Sequence, residues 1–246
     1  MSAPVFVVSR ERLVVGPVLV DGTEGRHAAT VTRLSAGEVV VLTDGQGRRA
    51  DGVVTSTGRD RLDVEVSTVV DEPEPQPRLV VVQALPKGDR GELAVETMTE
   101  VGVDLVVPWT ASRCITKWRD ERGAKGLAKW RTSAQAAAKQ SRRSWFPEVT
   151  DPASTREVAD RLAEAAVGVV LHEEAAEPLA VLDVPASGDV VLVVGPEGGI
   201  SPEELGAFRD AGATPCRMGD TVLRTSTAGT AALAVLLART RWRQSR

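Results

Sequence analysis

Residues 189–204, DVVLVVGPEGGISPEE, contain the transition that decides the fold. The run DVVLVV predicts a strand buried on both faces, as in a parallel sheet covered by helices. Ser201, Pro202 and Glu204 have the residue types preferred at the N-cap and at the first and third positions of a helix. The stretch GPEGGIS therefore lies at the carboxyl end of a strand, where open α/β sheets bind ligands.

The GPEGGIS stretch differs from the common nucleotide-binding loops. It lacks the GK[ST] of a phosphate loop and the GxGxxG of a dinucleotide fold, so neither a nucleoside triphosphate nor NAD is favoured. Its three glycines allow a ligand to approach the backbone closely, and Glu197 adds one carboxylate. A tight turn with a solvated Glu197 is the structural alternative.

Strand and helix patterns alternate on both sides of this loop. Ser154 and Glu157 form a capping box for a helix that runs through Ala165. Two further helices are indicated by residues at helical spacing. One precedes Gly102 and has Ala94, Met98 and Val101 on one face. The other is basic and has on one face Leu127, Trp130, Ala134, Ala137 and Ser141. Further strands are predicted at 79–85, 103–109 and 167–171. Repeated βα units predict an α/β domain with a parallel sheet over residues 78–246.

The chain before residues 71–77, DEPEPQP, has a different character. Three prolines and three acids in that stretch indicate a linker. Short valine-rich runs precede it, and Asp44-Gly45 supplies a turn signal between two of them; the runs lie at 4–8, 38–42, 51–55 and 61–70. Closely spaced strands predict a small β-barrel domain over residues 1–72.

Charge is distributed unevenly along the chain, although the net charge is only −4. Residues 113–143 hold ten basic and two acidic side chains, whereas residues 144–220 hold four basic and fifteen acidic ones. The basic segment predicts either phosphate contacts or simply a solvated helix face. No apolar run approaches the roughly 20 residues of a membrane span, so a cytoplasmic protein is expected. Cys114 and Cys216, far apart and without a CxxC motif, predict buried thiols and no metal site.

A second candidate site is the stretch MGDTVLRTSTAGTAAL at residues 218–233. Arg224 is the only charged residue between Thr221 and Ala238. Hydroxyls and free N–H groups at a helix start could hold an anion, or they could serve only as an N-cap cluster. A structural role would place a costly cation beside an apolar helix, which favours a functional role for Arg224.

These motifs together resemble one known family. GPEGGIS followed by MGDTVLRTSTA, with KGDRGELAVETMTEVGVDLVVP at 87–108 and AAKQSRR at 137–143, is similar to the ribosomal small subunit methyltransferase E family of the SPOUT superfamily. The resemblance covers nearly the whole chain. It implies a C-terminal SPOUT α/β domain threaded into a trefoil knot, preceded by a PUA-like β-barrel that binds RNA. It further implies a homodimer whose active site forms at the subunit interface.

The resemblance also implies a reaction and its residues. S-adenosyl-L-methionine would be the methyl donor for N3 of one uridine in 16S rRNA of the small ribosomal subunit. Neither a metal ion nor a membrane would take part. Arg224 would stabilise the deprotonated base, and Glu197 would act as a base or orient the cofactor. The expected RNA contacts are Arg10, Arg33, Arg131, Arg142 and Arg143. The expected cofactor contacts are Leu171, His172, Val194, Gly195, Glu197, Gly198, Gly199, Met218, Gly219, Leu223, Thr225, Ser226 and Ala228.

Two other functions are consistent with the motifs. A related SPOUT branch methylates ribose 2′-hydroxyls of tRNA, although the barrel and the LRTSTA form argue against it. A catalytically silent RNA-binding or ribosome-assembly factor would keep the barrel and the basic helix. Ser226 stands where the family more usually has Glu, which bears on any catalytic role of that side chain. Cofactor binding distinguishes the silent factor from the two enzymes.

Overall fold

The computed structural model describes residues 3–243, which pack into two compact units. The first unit contains the residues up to Glu74 together with Ala138–Phe146. The second contains Pro75–Ala137 and the residues from Pro147 onwards. The stretch 138–146, which the sequence pattern places with the α/β domain, thus packs with the N-terminal strands.

The first unit is built on a five-stranded sheet in the order β1-β3-β4-β5-β2. In the predicted run 61–70, Leu62, Val64 and Val66 are buried and alternate with more exposed residues, as in a half-buried strand. A short helix α1 (Gly22–Arg26) continues into a π-helical turn, His27–Thr32. The strands are β1 (Val5–Val7), β2 (Gly16–Val20), β3 (Val39–Thr43), β4 (Arg48–Thr57) and β5 (Leu62–Asp71).

Residues 138–146 are held to this sheet by specific bonds. Lys139 Nζ lies 2.7 Å from a carboxylate oxygen of Glu24, and both side chains are largely buried. The indole Nε1 of Trp145 donates to the Glu72 carbonyl at 3.0 Å. A Cβ on Gly47 would come within 2.5 Å of the same indole, so that turn accepts only glycine. The segment is therefore an integral part of the first unit.

The second unit has a seven-stranded sheet in the order β10-β12-β9-β11-β6-β7-β8. Every pair of neighbouring strands is parallel, which confirms the predicted α/β class. The trefoil knot stays a prediction. The strands are β6 (Arg78–Ala84), β7 (Leu105–Trp109), β8 (Glu148–Val149), β9 (Val167–Leu171), β10 (Glu177–Pro178), β11 (Asp189–Val194) and β12 (Thr214–Arg217).

Several helices of the second unit have the predicted ends, whereas α3 ends at Gln140, one residue before the predicted Ser141, and its last residues (138–140) belong to the first unit. Gly102, with φ of 122°, terminates α2, and serine–glutamate capping boxes open α4 and α5. Apolar residues of α2 and α6 pack against strands that are buried on both faces. The helices are α2 (Arg90–Val101), α3 (Asp120–Gln140), α4 (Thr155–Glu164), α5 (Pro202–Asp210) and α6 (Thr225–Arg239).

Both cysteine thiols are free and buried, as expected. Burial raises the pKa of the Cys114 thiol and that of the Cys216 thiol, so little reactive thiolate forms near neutral pH. Between residues 3 and 243, the side chains of His, Cys, Asp and Glu form no group of three that could hold a metal ion. The helices in that part of the chain are all too short or too polar to cross a membrane.

Candidate cofactor cleft and RNA contacts

A cleft of about 920 Å³ opens at the carboxyl ends of β9, β11 and β12, which are neighbours in the sheet. This volume lies within the range of small-molecule and cofactor sites. The loops after these strands bring together every expected cofactor contact except Ser226, which is buried inside α6. The expected residues that line the cleft are Leu171, His172, Val194, Gly195, Glu197, Gly198, Gly199, Met218, Gly219, Leu223, Thr225 and Ala228.

The glycine loop after β11 is packed from behind by other backbone. A Cβ on Gly198 would lie 3.1 Å from both the Cβ and the carbonyl oxygen of Arg113. Gly199 has φ of 74° and donates its N–H to the Pro196 carbonyl at 2.9 Å, which closes the turn. The loop therefore presents backbone rather than side chains to the cleft at these positions.

Glu197 is the exposed carboxylate of this loop. Its Oε1 accepts a hydrogen bond of 3.1 Å from the backbone N–H of Lys87, which follows β6. The carboxyl group is thereby oriented by a fixed donor and still lines the cleft. It can accept a further hydrogen bond from a ligand or take up a proton.

Arg224 occupies the N-cap position of α6, with extended backbone angles of −68° and 149° and no capping bond from its side chain. The side chain is exposed and lines the cleft, so the expected cost of placing a cation beside an apolar helix does not arise. A cation is nevertheless disfavoured at a helix N-terminus, because the helix dipole is positive there. The positive end of α6 and the guanidinium both favour negative charge in the cleft.

His172 follows β9 in a defined orientation. Its backbone N–H donates to the Cys216 carbonyl at 2.9 Å, which ties this loop to β12. Its Nδ1 accepts the backbone N–H of Glu174 at 3.3 Å, so the proton of the neutral imidazole is on Nε2. Glu173 and Glu174, whose participation was open, also line the cleft.

Several residues that line the cleft were absent from the expected cofactor contacts, among them Arg113, Arg217 and Val222. Arg113 was counted only as part of the basic segment, although its position soon after the β7 strand was a usable signal. Its Nη1 donates to the Gly198 carbonyl at 3.3 Å. Val222 is 78% exposed and places an apolar surface at the cleft.

The residues of the cleft fit a nucleoside cofactor that carries a methionine moiety. Backbone N–H and C=O groups of the glycine loop are available for polar edges, and Leu171, Met218 and Leu223 supply apolar contacts. The Cβ position of Gly219 has no heavy atom within 4 Å, so a ligand can approach that backbone directly.

The five arginines expected to contact RNA differ in how the protein already uses them. In the first unit, Arg10 donates to Asp44 at 2.8 Å and to Asp71 at 2.6 Å. Hydrogen bonds from Arg48 and charge from Arg10 hold the pKa of the Asp71 carboxyl below its usual range. The Arg10 guanidinium is thus largely engaged within the protein.

Two more of these arginines are bonded within their own units. Arg131 donates to the Val149 carbonyl and to Asp151, each at 3.0 Å, and Arg143 donates to the Trp145 carbonyl at 2.9 Å. Arg33 and Arg142 are exposed instead, and both have left-handed backbone with φ of 55°. Of the five arginines, Arg33 and Arg142 are therefore the most available to a phosphate.

Comparisons with known proteins show the class of protein to which this chain belongs. Residues 72–237 match the family described as RNA methyltransferase domain, and residues 20–67 match the RNA methyltransferase PUA domain. A parallel sheet with its cleft at the strand ends and a preceding PUA-like unit are thus the parts of an RNA methyltransferase.

Individual relatives narrow the class. Ribosomal RNA small subunit methyltransferase E of Mycobacterium bovis is 48% identical over 229 residues, covering 91% of this chain and 87% of the relative. The Bacillus subtilis protein of the same name is 28% identical, with 88% of each chain covered. A crystal structure of the Neisseria gonorrhoeae protein, bound to S-adenosyl methionine, has a TM-score of 0.87 and 28% identity over 97% of this chain and 98% of that one. The chain belongs to the ribosomal RNA small subunit methyltransferase E family.

Proposed function

We propose that this protein transfers a methyl group from S-adenosyl-L-methionine to N3 of one specific uridine in 16S rRNA, in the cytoplasm. The observation that carries the proposal is the cleft itself, in which three loops distant in sequence place a glycine cradle, Glu197 and Arg224 together. The Neisseria gonorrhoeae relative was crystallised with this cofactor, which supports the same ligand here.

The cofactor supplies an activated methyl group on a sulfonium centre. The glycine loop and the loop after β12 bind and orient it, with backbone groups at its polar edges and apolar side chains against the rest. Holding two reactants in line can supply a large part of the rate enhancement. The walls of the cleft therefore contribute by geometry before any side chain acts chemically.

Arg224 and Glu197 act on the uridine base. Uridine N3 lies on the pairing edge, so the base must be unpaired or turned out of a helix to reach the cleft. Loss of the N3 proton leaves negative charge on N3 and the flanking carbonyl oxygens. The Arg224 guanidinium and the N-terminus of α6 stabilise that charge, and a Glu197 carboxylate oxygen accepts the proton or hydrogen-bonds the cofactor.

A homodimer is part of the proposal. The resemblance assigns the active site to a subunit interface, and exposed apolar residues on the cleft, Val222 and Leu223, suit contact with a second copy or with the base. Sedimentation of the purified protein is expected to give twice the monomer mass.

Mass spectrometry of rRNA from a deletion strain tests the reaction. The 16S rRNA is expected to lose one N3-methyluridine, which returns when the intact gene is restored but not when an Arg224→Ala form is supplied. Loss of a 2′-O-methyl group from tRNA would instead establish the related enzyme. Unchanged rRNA and tRNA, with no cofactor binding by calorimetry, would establish a silent RNA-binding factor.

Arg33 and Arg142 are expected to contribute most of the ionic RNA contacts among the five arginines. Arg33→Ala and Arg142→Ala should each lower the slope of log affinity against log salt by about one unit, because each lost phosphate contact removes roughly one released counterion. Arg131→Ala is the matched control, since that guanidinium is already bonded to Val149 and Asp151. Filter binding of small-subunit rRNA over a salt series measures the slopes. Equal slopes in all variants would show that the basic segment, residues 113–143, is only a solvated surface.

A further inference from the structure

Glu204, the third residue of α5, is a carboxylate buried to 5% exposure that bonds well beyond its own helix. It completes the capping box, accepting the Ser201 N–H at 3.0 Å while its own N–H donates to the Ser201 hydroxyl at 3.2 Å. Its Oε1 also accepts the backbone N–H of Ser112 at 2.7 Å, which a capping box does not require. The loop after β7 is thereby tied to the end of the glycine loop.

A third element converges on the same oxygen. Thr155, the first residue of α4, donates its hydroxyl to Glu204 Oε1 at 3.3 Å and accepts the indole N–H of Trp109 at 3.3 Å. Trp109 is completely buried at the carboxyl end of β7. The bonds from Trp109 through Thr155 and from Ser112 both end on one carboxyl group. Glu204 is therefore the common acceptor for β7, α4 and α5.

The position of Ser112 matters because its neighbour forms the wall behind the glycine loop. Arg113 places its Cβ and carbonyl where a Cβ on Gly198 would be only 3.1 Å away. The Arg113 guanidinium also donates to the Gly198 carbonyl. A shift of the β7 loop would move this wall, and with it two residues that line the cleft.

We infer that Glu204 is a positioning residue for the cofactor cleft, holding the loop that carries Arg113 against the glycine loop. This role rests on the proposed function, in which that cleft binds S-adenosyl-L-methionine. Glu204 does not line the cleft and acts through Ser112, Arg113 and Ser201. Its carboxylate accepts hydrogen bonds from two backbone N–H groups and a hydroxyl, so it needs no cation among the described residues to be satisfied.

The chain contains a matched control in α4. Glu157 forms the same type of capping box with Ser154, accepting its N–H at 2.7 Å. Glu157 is exposed, and within residues 3–243 its carboxylate is hydrogen-bonded only to Ser154 of its own capping box. Substitution at Glu157 removes the helix-capping contribution alone, whereas substitution at Glu204 removes that contribution together with the bridge.

Calorimetry of S-adenosyl-L-methionine with the full chain, well below the melting temperature, tests the inference. Glu204→Gln replaces one acceptor oxygen by a donor, so either Ser112 or Ser201 loses its partner, and the Kd is expected to rise on the order of tenfold. Glu157→Gln should leave the Kd within about twofold of the wild-type value, even if both melting temperatures fall.

A second variant covers the case in which Glu204→Gln fails to fold. Thr155→Val keeps the shape of the side chain but removes its hydroxyl, and is expected to raise the Kd by roughly threefold. Wild-type Kd values in every folded variant at Glu204 and Thr155 would overturn the positioning role while leaving the proposed function intact. Absence of cofactor binding by the wild-type protein would overturn the proposed function, and this role with it.

Discussion

Gly198→Val is expected to abolish measurable binding of S-adenosyl-L-methionine, raising the Kd on the order of a hundredfold or more. A Cβ at this position would meet the Cβ and backbone carbonyl of Arg113 at 3.1 Å, and the two methyl groups of valine need still more room. Backbone atoms cannot rotate away as a flexible side chain does, so the loop itself must move. Titration calorimetry measures the affinity, and a thermal melt reports whether the variant is folded.

Gly206→Val is the control for this substitution. Gly206 lies in α5 and does not line the cleft, and a Cβ there has no heavy atom within 4 Å. The control adds the same side chain to the second unit with little steric conflict, and its cofactor affinity should equal that of the wild type. A folded Gly198→Val protein with unchanged affinity would refute the placement of the cofactor on the glycine loop.

Arg224→Ala is expected to lower the rate of methyl transfer by about a hundredfold or more, because removal of one donor that stabilises transition-state charge commonly has that effect. Arg224→Lys should lower the rate less, since the charge is kept while the planar fork is lost. Cofactor affinity should change much less than the rate, because the interaction strengthens as charge develops on the base. Single-turnover methylation of small subunits gives the rate.

The exposed position of Arg224 allows a catalytic role to be distinguished from a structural one. Since the side chain is not buried, its removal should leave the melting temperature nearly unchanged, whereas a structural role would lower it. Arg209→Ala, at an exposed arginine of α5 that does not line the cleft, serves as the control and should keep full activity. Equal losses in affinity and rate for Arg224→Ala would assign Arg224 to cofactor binding instead of catalysis.

Local signals in the sequence account for most elements of the second unit. Both capping boxes, at Ser154 and Ser201, were readable because they depend on residues only three positions apart. The β12 strand, Thr214–Arg217, was missed because proline occupies it and only Cys216 is buried. The π-helical turn His27–Thr32 was missed for a similar reason, since Ala28 is its sole buried residue.

The candidate site was predictable to the extent that parallel strands end at one edge. GPEGGIS follows a predicted strand, so a ligand site there could be inferred. Its meeting with the stretch around Arg224 was expected only from the family resemblance, because the β12 strand was missed. The contact between Arg113 and Gly198 could not be inferred, because it joins loops 85 residues apart. The pairing of Arg10 with Asp44 and Asp71 likewise depends on strand register, which a single sequence does not reveal.

The discontinuous first unit limits how far this protein can be treated as two exchangeable cassettes. A fragment that stops at Glu74 retains Glu24 and the β3–β4 turn but loses Lys139, Trp145 and the other groups that complete their bonding. During synthesis on the ribosome, the first unit cannot be completed when Glu74 has been added. More than sixty further residues must be made before Ala138–Phe146 is available to pack with the N-terminal strands. Any chimera that exchanges the first unit between relatives must therefore carry two separate gene segments.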